Sequence, residues 1–179
     1  MMRGRWLRTI VASTVVASLV GCSAFVQIDT RVDNAYVGTV DRIFAISNLS
    51  ALTVLFGETF AASLPEELSK VGVDCRVFTF DPLALDDRPP LGQAQEYSPR
   101  AVLVLEPTEK GGPWNKFVSV AHIDAKLRDL ERDIVYWRAS IRVESGSRRT
   151  PVGDATAQDL AKALVRRLAE DGVLRKAAT

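Results

Sequence analysis

The chain has 179 residues, 23 of them Lys or Arg, 22 Asp or Glu and one His, for a formal net charge of +1 at pH 7. A near-neutral chain lacks the basic footprint that binding nucleic acid demands, which excludes nucleic acid as a partner. With 47% hydrophobic residues it can bury a core of its own, and its length suits one domain.

Residues 1–8 carry Arg3, Arg5 and Arg8 and no acid, and residues 9–20 form a short apolar run that ends in Gly21 before Cys22. This order of basic end, apolar run and small residue is that of a secretory signal peptide. Leu19-Val20-Gly21-Cys22 resembles the lipobox of bacterial lipoproteins. The resemblance implies that residues 1–21 are removed and that Cys22 becomes the new N-terminus. It also implies a diacylglycerol on the Cys22 sulfur and a further acyl chain on its amine, with no other cofactor. Ser23 in place of an aspartate implies transfer to the outer membrane, with the domain in the periplasm. Losing residues 1–21 takes three arginines and no acid, so the formal charge falls to −2 over the remaining 158 residues. The apolar run is shorter than the roughly 20 residues that span a bilayer, so attachment is expected through lipid, where two or three chains hold durably. With Cys22 acylated, Cys75 is left without a disulfide partner and reads as a small buried hydrophobe rather than a reactive thiol.

Residues 22–40 are expected to form the lipidated N-terminus and a tether. Val26, Ile28, Thr30 and Val32 alternate with polar residues, the period of a half-buried strand, so the tether is able to dock on the domain. Residues 41–174 are expected to form a single α/β domain. Residues 41–48 (DRIFAISN) read as the first core strand, apolar on both faces as a helix-covered parallel sheet requires. A helix follows over residues 57–71, ended by Gly72 and either kinked or restarted at Pro65. The uncharged run before it, with Leu52, Val54, Leu55 and Phe56, reads as a buried lead-in; exposed, it would mark a contact with a membrane or partner.

Residues 75–80 and 101–106 read as the second and third core strands. Between them, the proline-rich residues 81–99 read as a surface loop with a short helical turn. Gly111-Gly112-Pro113 marks another loop, whose spacing fits no phosphate-binding pattern. Strand, helix, strand, loop, strand implies a partly parallel sheet.

Residues 117–144 read as a long antiparallel hairpin. Ser119, Ala121, Ile123, Ala125 and Leu127 share one face with Val135, Trp137, Ala139, Ile141 and Val143. His122, Asp124, Lys126 and Arg128 share the other with Tyr136, Arg138, Ser140 and Arg142. One face is dry and the other wet. Joining the two dry faces requires an odd loop, so Glu131-Arg132-Asp133 is expected to pair Leu127 with Trp137 and Ile123 with Ile141. A last helix spans residues 154–171, capped by Asp154 or Thr156 and ended by Gly172. The fold class is therefore α/β (α+β): one mixed sheet of about five strands with a long hairpin, flanked by two main helices.

Convergent reactive groups are sparse. His122 and Asp124, at i and i+2 on one strand face, could hold a metal or act as a base with its orienter. Lys126, Arg138 and Arg142 beside them would repel a cation, so the reading is a solvated face and no enzyme. A hydrolase would have to use His122. A lipid- or glycan-binding lipoprotein would need a pocket, for which Trp114, Phe56 and residues 81–99 are the candidate lining.

Leu127-Arg128-Asp129 entering the hairpin and Ile134-Val135-Tyr136-Trp137 leaving it resemble a strand, Asp, turn, aliphatic-Trp pattern. It is found in a group of outer-membrane lipoproteins and their relatives: the curli-secretion lipoprotein, the activators of penicillin-binding proteins, the exopolysaccharide-export ring lipoprotein and the N-terminal domain of the Tol-system β-propeller protein. Arg132 and Asp133 stand where that group usually has glycine, and no segment resembles the curli protein's pore-forming hairpins, so a pore is not implied. The resemblance spans residues 40–172. It implies a non-enzymatic assembly or accessory role in the cell envelope, with an envelope protein partner or further copies of the chain. The surface expected to make that contact is the wet face: His122, Asp124, Lys126, Arg128, Tyr136, Arg138 and Arg142.

Overall fold

The computed structural model describes residues 25–33, 40–80, 91–108, 119–145 and 152–174. Six strands form one mixed sheet: β1 (Phe25–Val32), β2 (Arg42–Ser47), β3 (Asp74–Thr79), β4 (Ala101–Pro107), β5 (Val120–Asp129) and β6 (Ile134–Glu144), in spatial order β1-β6-β5-β4-β2-β3. β2 lies parallel to β3 and to β4, while β4, β5, β6 and β1 pair antiparallel in turn. The helices are α1 (Val54–Lys70), the short α2 (Leu91–Tyr97) and α3 (Asp154–Glu170).

α1 and α3 pack side by side on one face of the sheet, α1 against β3 and α3 against β1 and β6. Phe56, Phe60, Leu64 and Leu68 of α1 and Leu160, Leu164 and Leu168 of α3 meet the alternate residues of the strands in one continuous core. β2 is apolar on both faces as expected, with Ile43 and Ala45 toward the helices and Phe44 buried on the far side.

Both helices end in the same way. Gly72 and Gly172 take φ of +78° and +72°, conformations open to glycine. Val73 then donates to the Leu68 carbonyl and Val173 to the Leu168 carbonyl, each at 3.0 Å, closing the helix on an apolar contact.

The helix starts differ from expectation. α1 begins at Val54, three residues early, because the Thr53 hydroxyl accepts a hydrogen bond from the Phe56 amide at 3.0 Å and caps it. The uncharged run is split by this: Leu52 and Phe56 are buried, whereas Val54 and Leu55 are 54% and 56% exposed. Pro65 lies within one uninterrupted helix rather than starting a second. The burial of Phe60, Leu64 and Leu68 on either side of it offsets the lost backbone bond. α3 is preceded by Gly153 and has no side-chain cap. The Asp154 carboxylate instead accepts from the Thr59 hydroxyl at 3.0 Å and ties α3 to α1.

Residues 25–32, expected as a tether able to dock, are the edge strand of the sheet and raise the strand count to six. Val26, Ile28, Thr30 and Val32 face the helices, paired with Val143, Ile141, Ala139 and Trp137. The Arg167 guanidinium reaches Thr30 Oγ1 from Nε at 3.0 Å and Nη2 at 2.6 Å. It also pairs with Asp171, whose carboxylate accepts from Trp137 Nε1 at 2.8 Å. β1, β6 and the end of α3 are thereby joined by one polar cluster.

The hairpin pairs Leu127 with Trp137 and Ile123 with Ile141, as the alternation requires, but by a different route. Its turn has four residues, 130–133, and pairs Asp129 with Ile134. The register then shifts between Leu127 and Arg128, where β6 carries one extra residue, a β-bulge. The bulge corrects the placement of Tyr136: it is 1% exposed and belongs with Trp137 to the helix-side core, not to the wet face.

Candidate docking surface

With α1 and α3 on one side, the opposite side of the sheet has two halves of different chemistry. Over β1, β6 and β5 it is charged. The strand registers set Asp29, Ser140 and Asp124 in one row and Arg31, Arg138 and Lys126 in the next, with Gln27, Arg142 and His122 on the far side of the acids. Glu106 of β4 lies beside Asp124 and extends the acidic row. Residues directly opposite across strands stand roughly 5 Å apart at Cβ, and like charges so placed repel. The Arg31, Arg138, Lys126 row is thus an unfavourable arrangement within the chain, and none of the three belongs to an ion pair among the described residues.

Of the residues expected on this face, His122, Asp124, Lys126, Arg138 and Arg142 lie together on it. Arg142 pairs with Glu144, and the His122 carbonyl accepts from the Thr108 amide at 2.9 Å and its hydroxyl at 3.1 Å. Arg128 lies at the margin, beside the bulge, held by Asp133 at 2.6 Å. Tyr136 is withdrawn into the core. Cys22 lies outside the described residues. Sequence reasoning missed Asp29, Arg31 and Gln27, although their alternation with Val26, Ile28, Thr30 and Val32 was the signal that could have found them. Among the described residues no three His, Cys, Asp or Glu side chains gather closely enough to hold a metal ion.

The turn at the near end explains a departure from the lipoprotein pattern. Asp133 has φ +57°, a left-handed conformation that favours glycine and that aspartate tolerates better than most residues. Asp129 sets the turn up: its carboxylate, almost fully buried, accepts from the Glu131 amide at 2.8 Å and the Arg132 amide at 2.9 Å.

Over β4 and β2 the same side is apolar. Phe44, Ile46, Val102 and Val104 floor a trough of about 490 Å³ walled by Ala94 and Pro99, with Leu130 at its end. α2 is pinned beside it by Tyr97, whose ring lies 6.2 Å from Phe44 and under the guanidinium groups of Arg76 at 4.9 Å and Arg42 at 5.6 Å. Burial first, and the nearby Asp74 second, hold the Tyr97 phenol protonated well above its usual range. The trough differs from the pocket lining expected. Phe56 is in the helix-side core and Trp114 lies outside the described residues. From residues 81–99, the described part does contribute, through Ala94, Gln95, Ser98 and Pro99.

Cys75, on the helix side of β3, has its thiol pushed up to about 12, chiefly by burial and then by Asp74. At neutral pH it is not a nucleophile.

Fold and surface together define a mixed sheet backed by helices on one face, with the other face charged over β1, β6 and β5 and apolar over β4 and β2. No family model and no curated protein matches the chain. Among solved structures, the fold is similar to that of the PelC dodecamer from Paraburkholderia phytofirmans, with a TM-score of 0.51 and 17% identity over 85% of this chain and 100% of that one. The lipoprotein GNA1162 from Neisseria meningitidis aligns with a TM-score of 0.39 and 20% identity over 72% of this chain and 98% of that one. At such identities the likeness to PelC is one of fold. The resemblance to the curli-secretion lipoprotein and to the penicillin-binding-protein activators rests on the sequence alone, on the order of elements behind a lipobox and the hairpin pattern.

Proposed function

We propose that this chain is a lipid-anchored envelope lipoprotein whose domain faces the periplasm from the outer membrane. It serves as a non-enzymatic assembly or accessory module of a secretion, transport or cell-wall machine, working in several copies or against an envelope protein partner. The observation that carries this reading is a charged sheet face that no helix among the described residues covers, in a domain that follows a lipobox-like sequence ending at Cys22. The likeness to a fold that assembles as a dodecamer supports the part that concerns further copies. Cys22→Ser tests the anchor: the variant is expected to take up no labelled palmitate and to keep residues 1–21. Palmitate uptake equal to that of the unaltered chain would place the anchor elsewhere or remove it.

A second reading, binding of a lipid or glycan, is favoured by the apolar trough over Phe44, Ile46, Val102 and Val104. Native mass spectrometry of the purified chain would then show a bound small molecule that is lost in Val102→Arg. Hydrolysis would run through His122, and His122→Ala is expected to leave the cellular phenotype unchanged.

A further inference from the structure

The two charged rows of the sheet face are arranged so that the face complements itself. They lie two residues, or about 7 Å, apart along the strands, one acidic and the other basic on the same three strands. The acidic row has a gap at its centre. Ser140, small and uncharged, sits between Asp29 and Asp124 at the foot of a cleft of about 370 Å³, lined also by Arg31, Lys126 and Arg138. On the same strand as the gap, in the neighbouring row, stands the long side chain of Arg138.

We propose that this face is the contact between two copies of the chain, related by a two-fold axis that lies between the rows and runs across the strands. That rotation reverses the strand direction but keeps each strand opposite its own copy. The cationic row of one copy then lies on the acidic row of the other. Arg31 meets Asp29, Lys126 meets Asp124, and Arg138 enters the cleft over Ser140 between two carboxylates. The same contact forms twice, as an isologous interface requires. It also accounts for three mutually repelling cations on neighbouring strands, since each gains a carboxylate on association that it lacks within its own chain. Glu106 stands at the edge of the contact, beyond the cationic row. A foreign partner would need the same alternation of charge at the same spacing, whereas a second copy has it by symmetry. The inference rests on the reading of the chain as self-associating, and names the surface that does it.

The test uses full-length chain in excess detergent and sedimentation velocity. One variant reverses the cations (Arg31→Glu, Lys126→Glu, Arg138→Glu) and another the acids (Asp29→Lys, Asp124→Lys). Each alone sets like charges face to face, and its dissociation constant for pairing is expected to rise at least tenfold. Mixed in equal amounts, the two variants are expected to pair one to one. In the unaltered chain, raising salt from about 0.05 to about 0.5 M shortens the screening length severalfold and is expected to weaken pairing, a readout that needs no substitution. Variants that keep the copy number of the unaltered chain, or a mixture that stays unpaired, would overturn this contact while leaving self-association in place. Val54 and Leu55 would then be the next surface to vary. An unaltered chain that sediments as a single copy at every concentration would overturn self-association itself.

Discussion

Tyr136 and Trp137 show how one residue can defeat a reading by alternation. Trp137 is fully buried, donates its indole N–H to Asp171 and sits where period two places it. Tyr136 should by the same rule point outward, yet it shares the core, because β6 holds one residue more than β5 at this point. A tyrosine is acceptable on either face, so nothing in its chemistry announced the bulge. Trp137→Ala and Tyr136→Ala are therefore both expected to cost about 3 to 5 kcal/mol, the range for large-to-small changes at buried aromatics. Arg138→Ala, exposed in the single chain, should change stability by less than about 1 kcal/mol. Thermal unfolding of the three variants checks the order; a Tyr136→Ala midpoint equal to that of Arg138→Ala would put Tyr136 back on the outer face.

Cys75 gives a second prediction at this scale. Burial pushes its folded thiol up to about 12, so at pH 8 the thiol stays protonated and alkylation should be slow until the chain unfolds. The unfolded thiol ionises near pH 8.5. Burial of the neutral form therefore adds stability that is complete below that pH and is lost as pH rises through the folded value. Denaturant midpoints measured from pH 8 to 11 should fall with pH, and should fall less in Cys75→Ala.

At the scale of elements, the sequence carried β2 to β6 and both long helices because their signals are local. These are a run apolar on both faces for β2, a solid aliphatic run for β4, alternation for β3 and the hairpin, and a stripe ended by Gly72 and Gly172 for the helices. The edge strand β1 was half legible. Its alternation could be read from Val26 to Val32, but whether it joins the sheet depends on pairing with β6 more than a hundred residues away and on Arg167 reaching Thr30. The charged face was legible on β5 and β6 and not on β1 for the same reason, so Asp29 and Arg31 were passed over. The hairpin turn is held by Asp129 rather than by glycine, and Asp129→Ala should release the Glu131 and Arg132 amides. A loss of about 1 to 3 kcal/mol is expected. Faster amide exchange confined to residues 128–136 would localise it, and exchange unchanged there would mean that the turn is set by its backbone alone.

In the whole molecule an N-terminal sequence that resembles a lipobox precedes a sheet whose outer face carries alternating acidic and basic rows. On the proposed reading a lipid on Cys22 holds the domain at the membrane, and among the described residues no helix is long and apolar enough to cross one. Copies held on one surface meet at raised effective concentration, so a contact made of charge pairs can suffice where it would be weak between free chains. Native mass spectrometry of the full-length chain extracted from membranes tests this most directly, since it reads the covalent state of each chain and the number of chains together. The account predicts an assembly of two or more copies, each beginning at Cys22 and heavier by a diacylglycerol and one acyl chain. A single copy with no protein partner bound, or a chain whose N-terminus carries no lipid, would contradict it.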